Sequence, residues 1–307
     1  MPERKLELLY NYDAEQRLDI FLNNEIEELT RSQIKKLIDN KKVKVNGVDR
    51  KSSYKVKNRD LVEITYELSE NTDIQPVNMD LNLIYEDEDI IVIDKCSGMV
   101  THPGSGHRTD TLVNALIYNF PDIREVGNLE RPGIVHRLDK ETSGVMVVAR
   151  NQEAYRSLKW QFKNREIDKY YIGLVWGRMP EKRNKISLPL GRHAKHSIKF
   201  SIKSKKPRDA ETIYSVLEVY KDYSLLELKP ITGRTHQIRV HLSSIGHPIA
   251  GDKLYGRKKI RKRCPRLFLH AARLAIKHPV SNLWREFSSS LPEDLKGFLE
   301  TVKKDSG

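Results

Sequence analysis

The sequence predicts an α+β protein: a large domain on a mixed, largely antiparallel sheet, preceded by a small N-terminal α/β module. Three observations predict it. The chain has 307 residues, about twice the usual domain size. Helical and strand patterns run to about residue 66 and give way to a polar stretch carrying a proline, which divides 1–76 from 77–307. Beyond residue 80 the strand-like runs do not alternate strictly with helical ones, as a doubly wound parallel sheet requires.

In the first module Asp13 is placed to cap a helix whose apolar positions Leu18, Phe21 and Leu22 follow i, i+3, i+4 spacing. Thr30 and Gln33 fit a capping box that opens a second helix. Its Ile34, Leu37 and Ile38 fall on one face; Arg31 and Lys35 share another, with Lys36 beside them. A strand from Lys42 to Val45 meets the turn signal Asn46-Gly47 and resumes at Val48. Val56 and the run 61–64 close the module as short strands, and residues 67–80 read as linker. In the large domain, residues 84–94 read as a hairpin across an acidic turn. Further strand-like runs lie at 145–149, 170–176, 212–219 and 224–229, and helical patterns at 109–119, 151–163 and 234–244.

Lys and Arg number 55 against 42 Asp and Glu, a net charge of +13. The excess is concentrated. Residues 31–60 hold eleven basic side chains against three acidic, 182–208 ten against none, and 253–266 eight against none. Three like-signed runs point to a polyanion, with nucleic acid first. No run approaches the ~20 apolar residues of a membrane span. The start of the chain lacks the apolar stretch of a signal peptide. Cys96 and Cys264 stand too far apart in sequence for a CxxC zinc site, and a disulfide scaffold does not suit this length. The expectation is a protein of the reducing cytoplasm, with no membrane partner.

Neither a GxxxxGK[ST] loop nor a GxGxxG motif occurs, so nucleotide binding by those routes is unsupported. His236 and His241 are five apart and miss a common helical face, and no metal site is expected. Three stretches remain. In Arg131-Pro-Gly-Ile-Val-His-Arg-Leu-Asp-Lys-Glu-Thr-Ser-Gly144, Asp139 sits between Arg137 and Lys140. Neighbouring cations favour an ionised carboxylate, fit to act as nucleophile or base. The spacing alone also suits an Asp that only pairs with its neighbours. In the run from Pro230 to Asp252 a helix starts near Thr232 or Gly233, and Arg239 faces away from Ile238 and Leu242, where it can pair bidentately with a carboxylate. In Lys169-Tyr-Tyr-Ile-Gly-Leu-Val-Trp-Gly177, Tyr170 and Tyr171 face opposite sides of a strand. An exposed tyrosine on a basic surface can stack a base; a core tyrosine is the commoner outcome.

Together these motifs resemble the RluA-type pseudouridine synthases, on the RluD-like branch that carries an N-terminal S4 RNA-binding domain. A single short match would mean little, but Pro132–Gly144, Lys169–Gly177 and Thr232-Gly-Arg-Thr-His-Gln-Ile-Arg-Val-His-Leu242 occur in the family's order. Gly98-Met-Val-Thr-His-Pro103, Thr111–Leu116 and Leu269-His-Ala-Ala-Arg-Leu274 also fit, and the likeness covers residues 13–297. The S4 likeness, over 13–66, rests on Arg17–Leu22, Arg31-Ser-Gln33 with Leu37-Ile38, Val43–Gly47 and Asn58–Asp60. Two of its usual glycines are replaced, by Lys41 or Lys42 and by Asn58-Arg59, and the sequence departs from the larger family at Gly173 and Cys96-Ser97.

The resemblance implies a pseudouridine synthase fold and the isomerisation of uridine to pseudouridine in RNA, the base leaving through N1 and rejoining through C5. Large-subunit ribosomal RNA is the leading target and transfer RNA the alternative. It implies Asp139 as nucleophile, toward sugar or base; Arg239 as its basic partner; Tyr171 stacked on the uracil; and Arg137 filling the gap left in the RNA. Arg31, Lys35, Lys36, Lys41, Lys42 and Arg50 form the basic face of the S4 domain. No metal, redox cofactor or nucleotide is implied, and the protein is expected to act as a monomer. The rival readings are a non-catalytic RNA-binding ribosome-assembly factor and a glycosidase-like hydrolase, which needs a second carboxylate, with Glu141 the near candidate.

Overall fold

The N-terminal module opens with a strand the sequence pattern does not announce, β1 (Glu3–Leu9). β2 (Gln16–Arg17), α1 (Leu18–Glu25), α2 (Arg31–Asp39), β3 (Val43–Val45), β4 (Val48–Asp49), β5 (Lys55–Val56) and β6 (Leu61–Glu67) follow. The computed structural model describes residues 3–306 apart from 27–28, 30, 68–73, 104–106, 108, 194–195, 197 and 257–263. The expected cap Thr30, part of the 67–80 linker and much of the 253–266 basic run therefore lie outside the described residues.

Asp13 does not cap α1. The helix starts at Leu18 with Arg17 at its N-cap, and Asp13 sits in a bend upstream. Pairing of β2 with β5, and the bond from Leu18 N–H to Tyr54 O (2.7 Å), keep the chain extended up to Arg17. The sheet runs β1-β6-β3-β4. Leu18, Phe21, Leu22, Ile34 and Ile38 pack on Val43, Val45, Val56 and Val62 in a core of their own. Lys41 and Arg59 take left-handed φ values of 58° and 72° in the two turns where glycine is usual, at a cost of about 1 kcal/mol each. The second turn is pinned by Asp60, whose carboxylate accepts from Asn46 Nδ2 (2.8 Å), Lys57 N–H (2.9 Å) and Tyr54 OH (3.2 Å).

In the larger domain β7 (Leu83–Glu86) and β8 (Ile90–Lys95) form the expected hairpin. Then come α3 (Leu112–Asn119), β9 (Ser143–Ala149), α4 (Gln152–Asn164), β10 (Asp168–Trp176), β11 (Arg183–Ser187), β12 (Gly191–Arg192), β13 (Phe200–Ser201), β14 (Glu211–Val219) and β15 (Tyr223–Pro230). α5 (Gln237–Ser244), β16 (Leu269–Lys277), β17 (Trp284–Ser288) and α6 (Glu293–Lys304) complete it. α5 begins later than the Thr232 or Gly233 expected. Gln237 Oε1 accepts from Thr232 Oγ1 (2.6 Å) and Arg234 N–H (3.0 Å), which holds the preceding residues in a turn. A nine-stranded sheet runs β11-β14-β15-β10-β16-β9-β8-β7, with β17 also on β16. Its pairings are antiparallel except β16 with β9, which is parallel, so the sheet is mixed and largely antiparallel.

That parallel junction depends on Gly144. Its φ is +120°, and a Cβ there would lie 2.2 Å from Ala271 O, so only glycine lets β9 approach β16. Two apolar clusters flank the central strands. One gathers Ile90–Ile93, Val145–Val148 and the inner faces of α3 and α4. The other gathers Leu174, Leu226 and Leu228 with the inner faces of α5 and α6. Tyr171 packs against both, at the seam where the candidate site opens.

Candidate active site

Asp139 is held by its backbone. Every carbonyl from Leu138 to Glu141 accepts a hydrogen bond: Leu138 from Thr101 Oγ1 (3.2 Å), Asp139 from Thr142 N–H (3.0 Å), Lys140 from Gly98 N–H (2.8 Å), and Glu141 from Ser97 Oγ (2.8 Å). Lys95 reinforces the same loop from beneath. It is 1% exposed, and its ammonium donates to the carbonyls of Cys96 (2.8 Å), Met99 (3.0 Å) and Lys140 (3.3 Å). Burial pushes Lys95 down to about 8, against the opposing pull of Cys96 and Asp139. The segment 95–101 thus serves as the bed of the Asp139 loop.

Arg239 comes from α5 and reaches the Asp139 carboxylate through Nη1 at 3.5 Å. Its bidentate fork goes elsewhere. Nε and Nη2 donate to the two oxygens of Asp252 at 2.8 and 2.9 Å, and both side chains are buried. Asp252 also accepts the N–H groups of Leu254 (2.8 Å) and Tyr255 (2.9 Å). Burial alone would raise the Asp252 carboxyl, but the Arg239 hydrogen bonds and charge outweigh it and hold the group below its ordinary range. Gly251, with φ +74° and a would-be Cβ 1.9 Å from Arg266 O, fits the chain into the turn that delivers Asp252.

His236 stands at the start of α5 in a left-handed conformation, φ 56°. Its Nε2 lies 3.8 Å from Asp139 Oδ2, and its Nδ1 is 2.9 Å from Tyr255 OH. Burial lowers the His236 pKa, with Asp139 pulling the other way. Tyr255 in turn accepts from Phe200 N–H (2.9 Å), and its ring lies beneath the Arg239 guanidinium, 5.3 Å from centroid to Cζ.

These groups open onto a cavity of about 690 Å³ that Asp139, Tyr171, Arg239 and Arg137 all line. Ile134, His136 and Phe162 supply its apolar wall, and His136 stacks on Phe162 at 4.4 Å. His136 Nε2 accepts from Val147 N–H (3.1 Å), and burial, followed by Lys169, pushes its pKa down to about 3. Tyr171 has its pKa raised by burial and then by Asp139, so it enters any reaction as the neutral phenol. Arg137 is exposed at the mouth. Lys169 is pushed down to about 8 by burial.

Sequence reasoning did not single out Asp252, His236, Lys95 or Lys169 as site residues. Asp252 carried one signal, standing after a glycine at the end of the Arg239 stretch. On the N-terminal module Arg31, Lys35, Lys36, Lys41, Lys42 and Arg50 are all exposed. Arg31 is engaged within the module, donating Nε and Nη2 to Asp19 at 2.9 and 2.6 Å, and Arg50 lies over the Tyr54 ring. Among the described residues one His and carboxylate cluster has ligand-like spacing, Asp87, Asp89 and His278. Asp87 there already accepts from Tyr85 OH, His278 Nε2 and two backbone N–H groups, which ties the β7–β8 turn to the end of β16.

Residues 89–244 match the family described as RNA pseudouridylate synthase, and residues 16–62 match the S4 domain. The chain is 42% identical to an uncharacterised RNA pseudouridine synthase of Aquifex aeolicus, over 95% of each protein. It is 39% identical to the ribosomal large subunit pseudouridine synthase D of Blochmanniella floridana, covering 94% of this chain and 95% of that one. The structure of human RNA pseudouridylate synthase domain containing 1 superposes with a TM-score of 0.56 at 31% identity, covering 73% of this chain and 95% of that chain.

Proposed function

Because the chain belongs to the RNA pseudouridylate synthase family and carries an S4 domain, we propose that it converts uridine to pseudouridine in large-subunit ribosomal RNA, with Asp139 as the nucleophile. The observation that carries the assignment of Asp139 is its place on the cavity wall with Arg239 at 3.5 Å and Tyr171 beside the same space. The choice of ribosomal RNA follows the relatives named for the ribosomal large subunit.

The target nucleotide leaves its stack to enter the cavity, as a base undergoing chemistry must. Tyr171 stacks on the extruded uracil, and Arg137 at the mouth fills the vacated space. Asp139 attacks the nucleotide, and the bond from ribose C1′ to uracil N1 breaks. The base turns within the cavity and bonds C1′ through C5, and the bond to Asp139 breaks to return the free carboxylate; the C5 proton leaves, and N1 takes one up. Arg239 holds the Asp139 carboxylate in place while Asp252 holds Arg239. Residues 1–76 grip the RNA backbone through the S4 domain, and 77–307 carry the chemistry. The protein acts as a monomer in the cytoplasm.

The test is to map pseudouridines in ribosomal and transfer RNA from cells with and without the gene. One or more large-subunit sites should revert to uridine, and the purified protein should restore them. Loss confined to transfer RNA would move the target there, and no change in either RNA would refute the proposal.

A further inference from the structure

Helix α4 buries Ala154, Tyr155, Leu158 and Gln161 and turns Arg156, Lys159, Trp160 and Lys163 outward. At 3.6 residues per turn those four fall within an arc of about 100°. Trp160 is 53% exposed, a large apolar ring left in water among cations. Lys159 and Lys163 also line the cavity that holds Asp139, as does Arg165 just past the helix end. The stripe is therefore continuous with the catalytic cavity and lies outside the S4 domain.

We propose that this stripe binds the single-stranded RNA flanking the target nucleotide, with Lys159 and Lys163 on phosphates and Trp160 stacked on one base. The inference rests on the reading that the cavity receives a uridine of RNA. If one nucleotide is drawn into the cavity, its neighbours must leave by the mouth, and α4 forms one side of that mouth. Lysines there match the phosphate charge. An exposed indole beside them, at the edge of the stripe, matches an unpaired base, since stacking accepts any base that has left its helix.

The probe is a short fluorescein-labelled oligouridylate, titrated into full-length protein at several salt concentrations. Replacing both lysines (Lys159→Ala with Lys163→Ala) should reduce the slope of log affinity against log salt by about 1.4, at about 0.7 for each single-strand phosphate contact. Trp160→Ala should weaken binding about fivefold or more, and Trp160→Phe, which still stacks, about twofold or less. Binding should quench indole emission in the wild type, and Trp160→Phe should remove that quench. An unchanged salt slope together with unquenched emission would overturn the proposal. So would equal quenching by a fully paired RNA duplex, or quenching by polyglutamate but not oligouridylate, which would assign the stripe to a protein partner. None of these readouts requires turnover, so their failure is distinct from a failure of the isomerase reading, which the pseudouridine map tests.

Discussion

Arg239 donates its two-pronged fork to Asp252, at 2.8 and 2.9 Å, and only its remaining Nη1 to Asp139, at 3.5 Å. Asp139 therefore faces a guanidinium whose position is set by a second, buried carboxylate. The Arg239–Asp252 pair is buried and bidentate, and the contact to Asp139 is the longer and single one.

Removing Asp252 should unfold this arrangement. Asp252→Ala leaves the Arg239 charge buried without its fork partner, and breaking a buried pair in this way costs about 3–5 kcal/mol. Arg239→Lys keeps the charge but not the fork geometry, so it should recover only part of the wild-type activity. Denaturant unfolding of each variant checks the stability, and an Asp252→Ala protein as stable as the wild type would show that the pair is dispensable.

Asp139→Asn keeps the size of the side chain and removes its charge. Release of the C5 hydrogen from labelled RNA should cease, while RNA affinity stays near the wild-type value. Losing an attacking group should cost several kcal/mol of barrier, so residual turnover above about one per cent would remove Asp139 from the nucleophile's role.

Much of the fold was legible because burial on both faces leaves a plain signature. The unbroken apolar runs Ile90–Ile93 and Val145–Val148 announce β8 and β9, and the 3.6-residue period announces α4. β16 was not legible. Ala271, Ala272 and Ala275 have little strand preference of their own, and the strand is made by its pairing with β10 and β9 on either side. In the site, Asp139 and Arg239 stood out in their motifs although they lie 100 residues apart. Asp252 did not, because a Gly-Asp pair in a turn looks like any other turn until Arg239 is folded against it. Lys95 did not either, since its role exists only where the carbonyls of Cys96, Met99 and Lys140 converge.

Acid should destabilise the protein through His136. Its imidazole titrates near 6.5 when unfolded and is pushed down to about 3 in the fold. Between those values the unfolded chain binds a proton that the folded chain does not, so stability falls as pH falls, by up to about 1.4 kcal/mol per unit from this group. The slope from this group halves near pH ~6.5 and fades out about one unit above it. Burial lowers His102, His236, His241 and His270 as well, so they add to the slope in the same direction. His136→Phe keeps a ring against Phe162 and removes the titration. Unfolding free energies measured at about pH 5 and 6 should show a shallower slope for the variant; an equal slope would show that His136 is not kept neutral.

Deleting residues 1–76 should separate grip from chemistry. The module has its own buried core, so when residues 1–76 are gone the rest of the chain keeps both of its apolar clusters apart from Ile74, which the deletion takes from the first. Lys35, Lys36, Lys41, Lys42 and Arg50 are exposed and are the side chains proposed to meet phosphates; Arg31 holds Asp19. For each phosphate that the truncated protein no longer neutralises, the slope of log affinity against log salt should fall by roughly 0.7–0.9. Arg31→Ala should instead lower the stability of the module and change that slope least. Asp139, Tyr171, Arg239 and Asp252 all lie outside the deleted segment, so the single-turnover rate on saturating RNA should survive. Affinity and single-turnover rate, measured at several salt concentrations for both proteins, decide the matter. An unchanged salt slope would mean that the module does not touch RNA, and a collapsed saturating rate in a folded truncation would mean that it helps build the site.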